Sequence, residues 1–450
     1  MLSAFVARIG YSWDMRVWRI GLVAAAVVIA GCGLAPAPDD SRQEDPPAQE
    51  PSDVVTSSLK DVERFWTGQF PEIAGGAAFQ AVRGGYHPYT QTSPPPDCGG
   101  QPFEYQPNAF YCPDGDFIAW DAEQLIPQLQ DAFGQLLVGV VMAHEYGHAV
   151  QTRLGDTRQA TVVLEQQADC YAGAWLADVQ GGHSRAFKKP TAAQIDNTVA
   201  GILMLRDQPG TPALAEGAHG NAFDRVRALQ EGVQQGARKC ASYRESNLQV
   251  TEVPFSSEEE AATGGDLPYD KAVELLAEDA DKFWTRTFPQ LPDGGSWNPL
   301  TVQAFDSGSP PNCNDPDESA EGAAFYCPSG DFVAFDNSDL GPRLYQRIGD
   351  FAVGMLLGDL FARAAQDRRG ASTTDKAGQL TVDCLAGAWT NDLLTREASG
   401  DTITLSPGDL DEAVTALLAF GRAGENTGPS AFDRIAAYRK GVLEGLGVCV

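Results

Sequence analysis

Apolar residues recur at helical spacing in three stretches of the chain, 59–66, 192–206 and 222–237, and Thr191 is placed to cap the second. After the first comes a Pro- and Gly-rich irregular stretch. A strand or two then follow near 110–120, where aromatic and branched residues flank the turn Cys112-Pro113-Asp114-Gly115. Two further helices lie over 138–151 and around 165–175, separated by a break at Gly155-Asp156. The pattern predicts an α+β, mostly helical fold.

The first residues carry a different pattern. Arg16 and Arg19 precede an apolar run over 20–30, which is long enough for a signal-peptide core and too short to span a bilayer. It ends in Ile29-Ala30-Gly31-Cys32, which resembles a bacterial lipobox, with Cys32 as the lipid-bearing first residue of an exported lipoprotein. Met1 and Met15 both remain possible starts. A plain secretory signal with an incidental cysteine is the alternative. Residues 32–57 are rich in Pro, Asp, Glu, Gln and Ser, with too few large apolar groups to offset the entropy of ordering, and are expected to form a disordered tether.

Beyond the tether the apolar pattern occurs twice. FWTGQFP at Phe65 returns as FWTRTFP at Phe283, AFYCPDGDF at Ala109 as AFYCPSGDF at Ala324, ADCYAGAW at Ala168 as VDCLAGAW at Val382, and AFDR at Ala222 at Ala431. Such slowly drifting offsets predict two tandem copies of one domain. They are expected at 58–247 and 270–450, with 248–269 as linker. The formal charge is −29, and it becomes −31 without residues 1–31. A surface this acidic argues against nucleic acid or an anionic membrane surface as partner.

The candidate chemistry lies in VGVVMAHEYGHAVQ, 138–151. His144 and His148 stand four apart, so on a helix both imidazoles leave one face, with Glu145 beside them. Two neutral imidazoles suit Zn²⁺, and the adjacent carboxylate is placed to take a proton from water. Glu165 on the next helix would complete a His₂Glu ligand set. Asp169, four residues on, would accept the outer N–H of a ligating histidine. Small residues at Gly139, Ala143 and Gly147, facing Ala168 and Ala172, allow the two helices to approach.

HEYGHAVQ followed by LEQQADCYAGAW resembles the bacterial neutral zinc metallopeptidases, a gluzincin-like group. FYCPDGDF at 110–117 and HGNAFDR at 219–225 extend the likeness over roughly 59–247. Ala149 departs from the pattern, since many relatives have a histidine there. The resemblance implies a zincin-like fold and a zinc-dependent peptidase. It also implies an extended edge strand within 110–121 beside the metal, and His219 as a donor to the oxyanion. A core strand and a structural histidine are the plainer alternatives.

In the second copy every chemical residue is replaced. Asp359, Leu360 and Arg363 stand opposite His144, Glu145 and His148, Gln379 opposite Glu165, and Gly428 opposite His219. Asp383 and Trp389 still match Asp169 and Trp175. The expectation is a pseudoenzyme domain without metal, in which Asp359 and Arg363 form an ion pair; a different metal site built on Asp359 and Asp383 is the rival.

Eight cysteines remain besides Cys32. The repeated 14-residue spacing favours Cys98–Cys112 and Cys313–Cys327, leaving Cys170–Cys240 and Cys384–Cys449. Cysteine-ligated metal is the alternative, disfavoured in an oxidising compartment. The sequence therefore predicts an exported, membrane-anchored zinc peptidase acting on peptide or protein substrates at the cell envelope. A non-catalytic envelope binding protein on the same scaffold is the other reading.

Overall fold

Helix α1 (Pro51–Ile73) begins with a proline in its first turn, where the missing N–H would have no partner within the helix. The structure is a computed structural model that describes residues 50–100, 103–213, 215, 218–313, 322–396, 403–421 and 428–450. The expected signal, Cys32 and most of the tether lie outside the described residues. The tether ends sooner than expected: residues 51–57 are helical, because Val54 and Val55 bury their side chains completely against the core. Among the described residues no helix is long and apolar enough to cross a membrane.

The fold is α+β and mostly helical. After α1 come β1 (Gly85–Tyr89), β2 (Ala109–Cys112), β3 (Phe117–Asp121), α2 (Leu125–Phe133), α3 (Gln135–Leu154), α4 (Thr161–Gln180), α5 (Ala192–Met204) and α6 (Ala222–Cys240). The short helix α7 (Glu258–Thr263) follows. The same order then returns as α8 (Tyr269–Thr287), β4 (Thr301–Phe305), β5 (Ala324–Cys327), β6 (Phe332–Asp336), α9 (Leu340–Arg347), α10 (Asp350–Arg368), α11 (Lys376–Thr395), α12 (Asp409–Gly421) and α13 (Ala431–Glu444). Both sheets have the middle strand last in sequence, in the orders β1-β3-β2 and β4-β6-β5. In each, the first strand pairs parallel and the second antiparallel to that middle strand.

Helices α3 and α10 run through the centre of their halves and are buried on nearly all sides, which explains why neither shows a one-sided apolar stripe. Thr191 caps α5 through a capping box with Gln194. Four cysteine pairs lie at disulfide distance: Cys98–Cys112, Cys170–Cys240, Cys313–Cys327 and Cys384–Cys449. The second ties α4 to α6, and the fourth ties α11 to the end of the chain.

The two halves share one core within a single unit, 49–450. Gln230 on α6 donates to the Phe432 carbonyl at 2.9 Å and accepts from Arg439, while the N–H groups of Ala431 and Phe432 reach Asp196 on α5. The segment expected as a linker is strapped down. The Thr251 N–H donates to Asp224 at 2.7 Å, and Asn221 donates to the Thr251 carbonyl at 2.5 Å. Its apolar residues Leu248, Val250 and Val253 supply the reason, since all three pack against the core.

Candidate metal centre

Helix α3 meets α4 at backbone distance. A Cβ on Gly147 would lie 2.9 Å from the Ala168 Cα, so only glycine permits the approach. That contact brings Glu165 over the face of α3 that carries both histidines. Ligand atoms of His144, His148 and Glu165 all fall within 4.8 Å of one another. His144 Nε2 is 3.2 Å from Glu165 Oε2, and His148 Nε2 is 3.5 Å from Glu165 Oε1.

The outer nitrogens are both occupied. His144 Nδ1 is 2.8 Å from Asp169 Oδ1, and an ionised carboxylate only accepts, so Nδ1 carries the proton. His148 Nδ1 is 2.9 Å from Gln151 Oε1. The Gln151 amide cannot be turned round, because its Nε2 donates to the Leu164 carbonyl at 2.6 Å. Both Nε2 atoms are therefore bare acceptors in the neutral rings, and they face an acceptor-only carboxylate. Glu165 Oε2 is buried with no hydrogen-bond partner. Three converging lone pairs call for a positive charge at their focus, and two imidazoles with one carboxylate suit a borderline-soft divalent ion such as zinc.

The electrostatics agree. Burial opposes a charge on His144, but Asp169 and Glu165 outweigh it and carry the ring up to about 10, so this arrangement draws positive charge, a proton or a cation, to Nε2. Glu165 is held well below the carboxylate range despite burial, by the two histidines. Asp169 is likewise kept ionised, against its burial, by Arg225 and His144. Arg225 grips it with Nε at 2.8 Å from Oδ2 and Nη2 at 2.9 Å from Oδ1. Glu145 moves the other way: burial raises its pKa, partly offset by the histidines.

These groups floor an open cleft of about 790 Å³. Asn108, Ala109 and Phe110 form one wall, so β2, an outer strand of its sheet, runs beside the histidines. The edge strand expected within 110–121 is thus confined to β2, because β3 is paired on both sides. His219 lines the cleft from the loop before α6, half-exposed, with Nδ1 3.4 Å from Asp207. Hydrogen bonding to Asp207 raises its pKa. The sequence reading missed Gln151 and Arg225 as supports. A signal for Arg225 was present, since AFDR occurs in both halves.

In the second half, Arg434 grips Asp383 in the same two-pronged way, with Nε at 3.0 Å from Oδ2 and Nη2 at 2.7 Å from Oδ1. Arg363 donates to Asp359 at 2.6 and 3.2 Å, placing a guanidinium where the first half has His148.

Residues 26–243, just under half of the chain, match the model of a family described as "Putative neutral zinc metallopeptidase". Two uncharacterized proteins, one from Mycobacterium bovis and one from Mycobacterium tuberculosis, are each 33% identical over 134 residues, covering 27% of this chain. The match spans 42% of the length of those relatives. No solved structure matches the chain significantly.

Proposed function

We propose that the first half is a zinc-dependent peptidase, with His144, His148 and Glu165 as ligands. The observation that carries this reading is the convergence of two tautomer-fixed imidazoles and an unpartnered carboxylate oxygen at the floor of an open cleft. Zinc in that position supplies a Lewis acid and an acidified water. Glu145 is the general base: buried beside the ligands with a raised pKa, it holds the proton removed from water and delivers it to the leaving amine. The free edge of β2 aligns an extended peptide by backbone pairing. His219, which lines the cleft, donates to the developing oxyanion.

The second half is, in this proposal, a zincin-like copy without catalytic metal. Its support is the retained Asp383–Arg434 clamp beside a position filled by Arg363 instead of a ligand. The chain is proposed to be exported and anchored through a lipid on Cys32, with peptide or protein substrates at the cell envelope. The motif ending in Cys32 supports this, and metabolic lipid labelling tests it; label that persists in Cys32→Ser refutes the assignment.

For the chemistry, the full chain should bind one zinc, measured by elemental analysis. Glu145→Gln should keep the zinc and lose peptide hydrolysis by at least about 10²-fold, because it removes a proton acceptor and not a ligand. Full turnover in that variant excludes the mechanism. A zinc-binding envelope protein without activity is the outcome in which the wild type binds metal and cleaves nothing from a pool of envelope proteins.

A further inference from the structure

Away from the cleft, carboxylates gather where α12 begins. Asp266 follows α7, Asp350 opens α10 and Glu412 lies in the first turn of α12, and one oxygen from each falls within 4.8 Å of the others. Asp409, also buried, stands one turn before Glu412. Asp350 is only 5% exposed. Its Oδ2 accepts the Leu267 N–H at 2.7 Å, and its Oδ1 is buried without any hydrogen-bond partner.

Helix capping explains part of the arrangement. Glu412 Oε2 accepts the Phe351 N–H at 2.8 Å, and Asp409 Oδ2 accepts the Ser406 N–H at 2.7 Å. Capping leaves Asp350 Oδ1 unaccounted for. Among the described residues no ion pair reaches Asp266, Asp350, Asp409 or Glu412, and the guanidinium that acts on Glu412, Arg206, is paired with Asp411 at 3.3 Å. Close approach is built into the backbone too. Gly349 has φ 147°, which favours glycine, and a Cβ there would lie 2.0 Å from Glu412 Oε1, so a side chain at this position would displace that carboxylate. Counting from the matching helix starts, the first half has Gln135, Ala192 and Ile195 where this half has Asp350, Asp409 and Glu412. The cluster is therefore not part of the frame the halves share.

We propose that Asp266, Asp350 and Glu412 bind a hard divalent cation, calcium by preference. The available donors are all oxygens, they come from three separate segments, and calcium tolerates such irregular geometry better than magnesium does. In the absence of a cation, burial and mutual repulsion push Asp350 up to about 6 and Asp409 and Glu412 well above the carboxylate range. The position gives the ion a structural task. One residue before Glu412, Asp411 accepts the Phe223 N–H of α6 at 2.9 Å, so fixing the start of α12 also fixes the junction of the halves.

The test uses the full chain, zinc-loaded, in calcium-depleted buffer. Equilibrium dialysis with radiocalcium should find one specific site with a Kd no weaker than about 1 mM, and calcium should raise the melting temperature. Asp350→Asn and Glu412→Gln should each weaken binding at least about tenfold. Without calcium both variants should melt above the wild type, because each removes a carboxyl whose ionisation burial and its neighbours oppose. The exposed control Glu258→Gln should bind like wild type. No saturable binding in the wild type, which would mean that the carboxylates share protons instead, overturns the proposal. So does binding that survives in both variants.

Discussion

At the scale of single residues, the candidate centre depends on two side chains that are not themselves expected ligands. Gln151 and Asp169 each take an Nδ1–H, and so aim a bare Nε2 at the focus. Removing either acceptor frees a ring to turn or to change tautomer, which characteristically lowers metal affinity about 10- to 100-fold. Gln151→Leu and Asp169→Asn should both show that loss in competition with a chromophoric zinc chelator, with turnover largely recovered at saturating zinc. Unchanged affinity in both would show that the tautomers are not set by these bonds. Asp169→Asn should also destabilise the fold by about 3–5 kcal/mol, since Arg225 is left buried with its charge uncompensated. Gln151→Leu strands no charge and lacks that penalty. His144, Glu145 and His148 were legible in the sequence because their relation is local, a helical repeat of four. Gln151 was not, because its role depends on a carbonyl on α4, which has no sequence period, and Arg225 was marked only by the recurrence of AFDR, which does not say what the guanidinium grips.

At the scale of elements, what the sequence disclosed follows a similar division. The helices with caps and breakers were readable: Thr191 opens α5, and Gly155 closes α3 in a left-handed conformation. Strand β1 was hidden inside the irregular stretch, because it reads GYHPY, and proline ordinarily argues against a strand. Its place explains the tolerance, since β1 is an outer strand and Pro88 has no ladder partner to supply on its free side. Helix α2 was missed for a related reason, being short and carrying Pro127 in its first turn. The contact between α3 and α4 gives the prediction at this scale. Gly147→Ala places a methyl against the Ala168 backbone, which cannot yield as a flexible side chain would. The helices must part by several tenths of an ångström, carrying Glu165 away from the histidines. A stability loss of about 1–3 kcal/mol is expected, together with weaker zinc binding, measured by denaturant unfolding and zinc titration. A variant as stable and as tight-binding as wild type would mean that α4 slides without cost.

At the scale of the whole molecule, repeated sequence suggests two separable bodies, whereas the packing joins them. Sequence repeats report what each half has in common and are silent on the surface through which the halves meet. That surface is built from α5 and α6 against α12 and α13, with Gln230, Arg439 and Asp196 supplying polar contacts across it and Phe223 lying under the Arg439 guanidinium. Arg439 and Gln230 are buried, so separating the halves would expose apolar faces and break the hydrogen bond that joins these two side chains. The segment after α6 adds to the coupling, because Thr251 is bonded to Asp224 and cannot act as a free hinge. The full chain should therefore unfold in one cooperative calorimetric transition, with calorimetric and van't Hoff enthalpies in agreement, despite its two sheets and its repeated order of elements. Zinc should shift that entire transition upward, although its proposed ligands all lie in the first half, because a ligand that binds only the native state stabilises whatever unfolds with its site. Two resolved transitions, with zinc moving only one, would show that the shared core does not couple the halves. In the single-transition case, the second half still contributes to the candidate centre: it packs on α6, the helix from which Arg225 holds Asp169, and through it His144, in place.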